Sequence, residues 1–528
     1  MKEIRIDGIR LPVGTDDREA IAIAAKKARI RGKDAENLRI VKKSVDARDK
    51  SDVRYVYAVS NVAGVPEVRL PAPGKKKKVA IAGFGPAGIF CALSLARAGF
   101  SVTVFERGKR VEDRKKSVDK FVNERLLDTE SNVQFGEGGA GTFSDGKLNT
   151  GVSGPLIRYV LNEFVLHGAP EDILYLAKPH VGSDRLPAVV KNLREEILRL
   201  GGEIRFGEKV EDVRISDGRV TAVVAGKTEY PCDAFVLAVG HSARDTFALL
   251  KEKGVAMERK AFAMGFRIEH LQSEISVSQY GGKFAPLLPP ADYRLATHKA
   301  ERGVFTFCMC PGGYVMPAAS EEGMVATNGM SNYLRDGGNA NSALLCEIRP
   351  DDFPEGVLGG VELQRKLERA AFRLGGGDYS APAQRVGDYL ASRATKSFGR
   401  VKPTYPLGVT GCDLSSLFPK AIDDCLKTGI SDLGEKLRGF DDADAVLTGV
   451  ESRSSSPVRI LRNERGESVN TEGLYPCGEG CGYAGGIMSA AVDGIRIATA
   501  VAENLSGKSA EGPRGNGALS GKTAREKE

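Results

Sequence analysis

A glycine-interrupted apolar run, KKKKVAIAGFGPAGIFCALSLARAGFSVTVFERG at residues 75–108, constrains the fold of this chain more than any other stretch. Lysines followed by about twenty mostly apolar residues are typical of a membrane span with a positive flank. However, the glycines break the run where a spanning helix needs continuity. We therefore predict a parallel strand over residues 79–82, a buried helix over 86–98 and a second strand over 101–105.

The turn between this strand and this helix has the G-x-G-x-x-G spacing of a dinucleotide-binding fingerprint. Gly83 allows the tight turn, Gly85 lets a pyrophosphate approach the backbone, and Gly88 lets the helix pack closely on the strand. The helix N-terminus then offers free N–H groups and a positive dipole end to the phosphates. Glu106 ends the second strand, where an acidic side chain accepts a hydrogen bond from a ribose hydroxyl. The nucleotide-binding residues predicted in this segment are Gly83, Phe84, Gly85, Pro86, Ala87, Gly88 and Glu106.

Length and composition bound the class of protein. The chain has 528 residues, 41% hydrophobic and 27% charged, so it is long enough for two or three globular domains. Its N-terminus, MKEIRIDGIRLPVG, lacks the apolar segment of a secretory signal, and nine cysteines without framework spacing suit a reducing compartment. We therefore expect a cytoplasmic protein with no membrane contact. A net charge of +7 is modest for this length and does not by itself predict a nucleic-acid partner.

The pattern along the chain predicts five segments. Residues 1–72 have the β-α-β-β pattern of a small N-terminal domain. An α/β nucleotide-binding domain covers residues 73–260 and returns at 441–505, and a β-rich α+β substrate or cap domain with short strands is inserted at 261–440. Residues 506–528 are low-complexity and predicted to be disordered. Two roles stay open for the N-terminal domain, docking of a protein or RNA partner and a solvated charged surface.

Several strings outside the fingerprint resemble a known superfamily. A strand that ends at the glycine turn of Gly240 and a C-terminal glycine–acid loop before a helix, together with the fingerprint, resemble the glutathione-reductase-type FAD superfamily. Within it the chain is similar to bacterial proteins catalogued as uncharacterised FAD-dependent dehydrogenases. That likeness covers nearly the whole chain and includes GEGGAGTFSDGKLNT at 136–150, PHVGSD at 179–184, FCMCPGG at 307–313 and YPCGEGCGYAGGI at 475–487. The resemblance implies an α/β fold: a Rossmann-like FAD-binding domain of glutathione-reductase type, the inserted α+β domain and the small N-terminal domain.

Further flavin-binding residues follow from the glycine loops and from this resemblance. The glycines of GEGGAGTFSDGK allow successive N–H groups to form an anion-binding nest, with hydroxyl and ammonium donors beside it. The resemblance implies that Glu479 accepts hydrogen bonds from the ribityl hydroxyls and that Val210 lies against adenine. Arg107 and Arg114 are candidates for phosphate contacts, with surface arginines as the alternative. The set comprises Arg107, Arg114, Gly138, Gly139, Ala140, Gly141, Thr142, Ser144, Lys147, Val210, Gly240, Gly478, Glu479, Gly485, Gly486 and Ile487.

The resemblance and the loops predict an FAD-dependent oxidoreductase that passes hydride through flavin N5 to or from an unidentified organic substrate. Outside residues 75–108 the sequence predicts no second strand, G-x-G-x-x-G turn, helix and strand unit of the kind that forms a dedicated NAD(P)H domain. NAD(P)H would therefore have to bind transiently at the isoalloxazine, unless an organic substrate reduces the flavin directly. Two alternatives stay open. One is a non-catalytic FAD-binding redox sensor or docking protein that uses the N-terminal domain, and the other is an FAD monooxygenase or saturase-like reductase.

Candidate catalytic residues are scattered along the chain. Cys308 and Cys310 are candidates for thiol redox chemistry, and buried unpaired thiols are the alternative. Neither this pair nor Cys477 with Cys481 has C-x-x-C spacing, so no metal site is predicted. His180 and His241 are acid–base candidates because neutral imidazole titrates near pH 7, and a structural role is the alternative. The candidates for holding an anionic substrate group are Lys147 and Arg453.

Overall fold

The computed structural model describes residues 3–62 and 64–508 of the chain. The strands, in chain order, are β1 (Arg5–Pro12), β2 (Arg39–Asp46), β3 (Arg54–Ser60), β4 (Lys78–Ala82), β5 (Ser101–Glu106), β6 (Glu203–Phe206), β7 (Val210–Ser216), β8 (Arg219–Ala225), β9 (Thr228–Pro231), β10 (Ala234–Leu237), β11 (Met257–Arg259), β12 (Phe262–Leu271), β13 (Ala296–Thr297), β14 (Val304–Pro317), β15 (Thr327–Ser331), β16 (Asn339–Ile348), β17 (Ala381–Arg385), β18 (Val409–Gly411), β19 (Val446–Glu451), β20 (Val458–Ile460) and β21 (Leu474–Pro476). The helices are α1 (Asp17–Ala28), α2 (Lys33–Glu36), α3 (Pro86–Arg97), α4 (Val111–Glu124), α5 (Pro155–Leu166), α6 (Leu186–Arg199), α7 (Arg244–Glu252), α8 (Gln272–Tyr280), α9 (Gly359–Leu374), α10 (Val386–Leu390), α11 (Lys420–Lys436) and α12 (Ile487–Ser506).

Residues 75–108 form a strand, a turn, a helix and a second strand, as predicted. β4 and β5 are adjacent parallel strands joined through α3, so this segment is not a membrane span. Among the helices of the described residues, none is both long and apolar enough to cross a membrane.

A five-stranded, all-parallel sheet in the order β21-β10-β4-β5-β6 forms the centre of the fold. Both of its faces are covered, which explains why β4 is apolar at successive positions. Val79 and Ile81 pack into one core cluster with α3, α5, α6 and α12. Ala80 and Ala82 pack into a second cluster, with α7 and the antiparallel sheet β7-β8-β9. The pair Asp217-Gly218 predicts a hairpin turn from the sequence, and the structure has this turn there, between β7 and β8.

The N-terminal residues form the sheet β1-β3-β2 with α1 packed on one face, in agreement with the predicted pattern. Asp16 caps α1 by accepting a hydrogen bond from the backbone N–H of Arg18 at 2.8 Å. The edge strand β2 is joined to the rest of the molecule, because Lys43 exchanges backbone hydrogen bonds with Tyr175 and Ala177.

A second large sheet covers the middle of the sequence. Seven of its strands run in the order β13-β14-β16-β12-β19-β17-β18, with β15 paired to β14, and only β17 and β18 are parallel. Helices α9, α10 and α11 bury their apolar faces against it. The expectation of short strands is met by β13, β15, β17 and β18, which have two to five residues, but not by three strands: β14 has 14 residues, and β12 and β16 have 10 each. Bulges explain the difference, because the β14–β16 register shifts on both sides of Cys310 and the strand passes through Gly312 and Gly313 without ending.

The chain returns from this sheet to the parallel sheet through β21 and α12. The division into separate domains at residues 72, 260 and 440 stays a prediction. The predicted tail at 506–528 begins where α12 ends, and its residues 509–528 lie outside the described residues.

Candidate functional site

A cavity of about 310 Å³ lies at the carboxyl ends of β4, β5 and β10. Its wall comes from segments far apart in sequence, which include residues 82–87, 105–107, 134–136, 139–141, 209–210, 238–242, 307–308, 453–454, 479 and 485–487. Helices α3 and α12 both begin at this wall. In open parallel sheets, ligands bind outside the carboxyl ends of the strands, so this is the position expected of a nucleotide site. Its volume is within the range of about 300–1,000 Å³ for small-molecule sites.

The glycine turn at this wall is shaped by two close backbone contacts. Gly83 has φ +95°, and a Cβ added to it would lie 2.3 Å from the carbonyl oxygen of Ala238. A Cβ on Gly88 would lie 2.0 Å from the carbonyl oxygen of Gly83. Gly88 therefore lies behind the cavity, where α3 packs against the turn. Gly85 faces the cavity, and its added Cβ would make only an ordinary contact of 3.7 Å with the Cα of Gly139.

The Glu106 carboxylate lines the cavity and also connects three loops. It accepts hydrogen bonds from the backbone N–H groups of Phe84 at 2.8 Å, Gly108 at 2.9 Å and Gly136 at 3.0 Å. Oε1 accepts the hydrogen bonds from Gly108 and Gly136, and Oε2 accepts the one from Phe84. The carboxylate can therefore accept one further hydrogen bond. This connecting role is not visible in the sequence, because Gly136 is 30 residues away.

Arg114 does not lie on the cavity wall, contrary to its prediction as a phosphate contact. Its side chain is fully buried, and burial lowers the pKa of the guanidinium to about 10. The guanidinium donates to the backbone carbonyls of Asn132, Val133, Gly136, Glu137 and Gly139. Arg114 therefore holds the glycine loop from beneath, and its N–H groups are not directed at the cavity.

Four other predicted residues also lie off the wall. The Thr142 hydroxyl donates to the carbonyl of Glu137 at 3.3 Å, and the Gly138 N–H donates to the carbonyl of Phe84 at 2.8 Å. Gly478 packs against α3, where an added Cβ would lie 2.8 Å from the Cβ of Ala87. His180 Nε2 donates to the carbonyl of Tyr333 at 2.8 Å. This imidazole makes a structural contact and lies off the cavity wall, where the predicted acid–base role would require it.

Cys310 lies behind Cys308, off the wall. The remaining predicted residues come together on the wall. They are Gly83, Phe84, Gly85, Pro86, Ala87, Glu106, Arg107, Gly139, Ala140, Gly141, Ser144, Lys147, Val210, Gly240, His241, Cys308, Arg453, Glu479, Gly485, Gly486 and Ile487. His241 Nδ1 lies 3.3 Å from Oε1 of Glu479, which connects two wall loops.

The two wall arginines are engaged by protein groups. Arg107 pairs with Asp245 at 2.8 Å and lies over the ring of Phe135. Arg453 pairs with Glu368 at 2.8 Å, and Arg244 pairs with the same carboxylate at 2.7 Å. Arg453 was predicted to hold a substrate anion, but it belongs to a buried cluster of two guanidinium groups around one carboxylate.

The far side of the cavity carries charged groups from residues 145–147 and charged and thiol groups from the second sheet. Lys147 Nζ lies 3.3 Å from the Asp145 carboxylate and 3.6 Å from Cys310 Sγ. Burial acts to lower the pKa of Lys147, but the charges of Asp145, Cys310 and Cys308 together outweigh it, and the pKa lies above its ordinary value. Glu451 lies on the wall, and burial raises the pKa of its carboxyl to about 7.

Sequence reasoning missed Glu451 and the buried residue Arg267, whose Nη1 lies 3.6 Å from Glu451 Oε1. A signal for Glu451 was present: it is an acid that ends a buried strand, like Glu106 at the end of β5. Arg267 lies inside the apolar strand β12 and carries no comparable local signal.

Two family models match this chain. Residues 261–454 match the model described as FAD-dependent protein, C-terminal domain-like. Residues 3–61 match a domain of unknown function. A protein of Clostridium beijerinckii described as uncharacterized is 45% identical over 527 residues, which cover 95% of this chain and 99% of that protein.

Solved structures show more distant likenesses to this chain. A glycine oxidase from Bacillus cereus is 13% identical, covers 82% of this chain and 95% of its own chain, and has a TM-score of 0.31. A geranylgeranyl bacteriochlorophyll reductase-like protein from Thermoplasma acidophilum is 13% identical, covers 82% and 79%, and has a TM-score of 0.36. Likenesses at this level carry no conclusion about the reaction of this chain.

Proposed function

The chain belongs to the same family as the Clostridium beijerinckii protein, and we propose that it is an FAD-dependent oxidoreductase that holds its flavin nucleotide in the glycine-lined cavity. The match of residues 261–454 to the FAD-dependent family model supports the cofactor. The proposal includes a glutathione-reductase-type arrangement of the FAD-binding part and hydride exchange with an organic small molecule.

The observation that carries the proposal is the meeting of two glycine segments at the cavity. A Cβ on Gly139 would lie 3.1 Å from the Cα of Gly85, so the two backbones approach with no side chain between them. Such a cradle presents main-chain N–H groups to a ligand, which suits the pyrophosphate of a dinucleotide. The residues therefore fit FAD, with Gly85, Gly139 and Gly141 as the phosphate side of the site.

Both helices that begin at the wall support an anionic ligand. In the described part of the chain, no side chain caps the N-terminus of α3 at Gly85 or of α12 at Gly486. Each helix therefore keeps free N–H groups and a positive dipole end at the cavity. Glu106 and Glu479 add carboxylate acceptors on the same wall, which suits the hydroxyls of a ribose or ribityl chain.

When bound, FAD supplies hydride or electron transfer through flavin N5. The chain supplies binding and proton handling. The Lys147 ammonium attracts an anionic group of the substrate at the far side of the cavity. Glu451, with a pKa of about 7, can hold or release a proton at its carboxylate near neutral pH. NAD(P)H as a transient electron donor stays a prediction.

The proposal is tested by identifying the cofactor that the protein binds and by measuring whether that cofactor is reduced. Purified protein is incubated with FAD and freed of excess by gel filtration, and the released ligand is identified by mass spectrometry. The FAD-loaded protein is then mixed anaerobically with NADH, with NADPH and with candidate organic substrates while the flavin absorbance is followed.

We expect FAD in the released ligand and bleaching by at least one donor, with recovery on adding an acceptor. Protein that stays colourless after incubation with excess FAD contradicts the proposal. Protein that keeps FAD but is bleached by no donor favours the non-catalytic alternative.

A further inference from the structure

Cys308 lies on the cavity wall at a local distortion of β14. Between Phe307 and Cys310, β14 advances three residues while β16 advances two, so β14 bulges at this point. Cys308 has φ +44°, in the left-handed region that residues other than glycine seldom occupy. Residues held in such conformations cluster at functional sites. The bulge carries the Cys308 side chain to the wall and leaves Cys310 buried behind it.

Two cations lie against the Cys310 thiol, and one of them also contacts the backbone of Cys308. Arg267 Nη2 donates to the carbonyl oxygen of Cys308 at 2.5 Å and to Cys310 Sγ at 3.4 Å, and Lys147 Nζ lies 3.6 Å from Cys310 Sγ. Cys310 Sγ itself lies 3.3 Å from the carbonyl oxygen of Cys308. Positive charge next to a thiol favours the thiolate, which is the nucleophile in thiol chemistry.

Most other cysteines have environments that keep the thiol protonated. Burial raises the pKa of Cys232, Cys346 and Cys481 to about 12 and that of Cys412 to about 11. The Cys308–Cys310 pair differs: a hydrogen bond from Cys310, together with Lys147 and Arg267, holds the pKa of Cys308 well below its ordinary value. One of two adjacent thiols is therefore activated, and the other is available to react second.

We propose that Cys308 and Cys310 form a redox-active dithiol that takes a low-molecular-mass disulfide as substrate, with Cys308 as the attacking and Cys310 as the resolving residue. The Cys308 thiolate attacks one sulfur of the disulfide, the S–S bond breaks, and the first thiolate leaves and is protonated. Cys310 loses its proton and attacks Cys308, which releases the second thiol and leaves a Cys308–Cys310 disulfide. The substrate disulfide is thus reduced by two electrons and the pair is oxidised by two.

Reduced flavin in the cavity would return two electrons and two protons to the pair, and this half of the cycle rests on the proposed function. The first half needs only the protein and the disulfide, so the two halves can be tested separately.

The probe is glutathione disulfide with the full-length protein as purified. After anaerobic incubation, the reaction is quenched with acid, free thiols are alkylated under denaturing conditions, and the protein is digested with trypsin. Cleavage after Arg302 and Arg335 leaves Cys308 and Cys310 in one fragment with no other cysteine, lysine or internal arginine. The wild-type fragment is expected to be lighter by two hydrogens and to take up no alkylating agent.

Three variants separate the roles of the thiols. Cys310→Ser is expected to carry glutathione on Cys308, because the resolving thiol is missing. Cys308→Ser is expected to leave Cys310 free and alkylatable. Cys346→Ala, a buried thiol on the neighbouring strand β16, is the matched control and is expected to behave as the wild type. A wild-type fragment whose two thiols remain alkylatable overturns the proposal, as does glutathione accumulating equally on Cys308 with and without Cys310.

A pH profile tests the origin of the activation without relying on turnover. The charged and titratable groups facing Cys308 are Cys310, Lys147, Arg267, Asp145 and Glu451. Alkylation of Cys308 in the native protein is expected to stay fast below the ordinary thiol pKa of about 8.5. Lys147→Gln is expected to slow alkylation at pH 7 on the order of tenfold and to move the profile to higher pH. An unchanged profile overturns the assigned role of Lys147.

The outcomes also separate this inference from the proposed function. FAD-loaded, reducible protein with an unreactive pair overturns the inference alone. A reactive pair in protein that binds no FAD overturns the proposed function and supports the dithiol.

Discussion

A Cβ on Gly88 would lie 2.0 Å from the carbonyl oxygen of Gly83, so α3 packs against the turn more closely than any side chain permits. By contrast, a Cβ on Gly85, three residues earlier, would make only an ordinary contact. Two glycines of one fingerprint thus have different tasks, one in the fold and one at the ligand.

Gly88→Ala is expected to destabilise the protein. The added methyl meets backbone, which cannot rotate away, so α3 must shift from the turn and lose packing. We expect the free energy of unfolding to fall by at least about 2 kcal/mol in urea titrations. Gly282→Ala is the control, because in the described structure nothing lies within 4 Å of its added Cβ. Equal stability of the two variants would contradict the close contact.

Gly85→Ala is expected to keep the fold and weaken FAD binding. Gly85 has φ −82° and ψ −175°, which alanine adopts without strain, and its Cβ would occupy the space that we assign to the pyrophosphate. We expect FAD affinity to fall by about tenfold or more, equal to about 1.4 kcal/mol, in fluorescence titrations. Unchanged affinity at unchanged stability would place the phosphates elsewhere.

Glu368→Gln is expected to be among the most damaging single changes. Glu368 is fully buried and accepts hydrogen bonds from Arg244, Arg453 and Ser452. Removing its charge leaves the buried guanidinium of Arg453 without a carboxylate partner and that of Arg244 with Glu321 alone, and we expect a loss of about 3–5 kcal/mol in unfolding free energy. Arg369→Gln, an exposed position on the same helix, is expected to change little. A loss below about 1 kcal/mol for Glu368→Gln would argue against the cluster.

Glu451→Gln is expected to remove the part of the pH dependence of the unfolding free energy that comes from the Glu451 carboxyl. The folded-state pKa of about 7 lies above the ordinary value of about 4.3, so between these values the folded protein binds the proton more tightly than the unfolded chain does. Wild-type stability should therefore fall relative to that of Glu451→Gln as pH rises from about 4.3 to above 7, by about 4 kcal/mol. Urea titrations at pH 5, 6, 7 and 8 measure the difference, and parallel curves would contradict the raised pKa.

Much of the architecture follows from local patterns. The strand, turn, helix and strand of residues 75–108, the β7–β8 hairpin and the N-terminal β1, α1, β2 and β3 lie where periodicity, glycine turns and helix caps predicted them. These signals work because each element carries its own apolar face within a few residues. The unbroken length of β14 was not predicted, because its glycines are accommodated at bulges, which depend on pairing with β16.

The sequence by itself determined the nucleotide fingerprint and most glycines of the cavity wall, because backbone freedom and spacing are local properties. Only the tertiary structure decided the tasks of the charged residues. In the folded chain Arg114 donates hydrogen bonds to loop carbonyls. Arg453 pairs with Glu368, which lies 85 residues away in sequence. Lys147 lies 3.6 Å from Cys310, which is 163 residues away in sequence. Charge pairs reflect distances in space, and a linear pattern contains no information on which distant strands will meet.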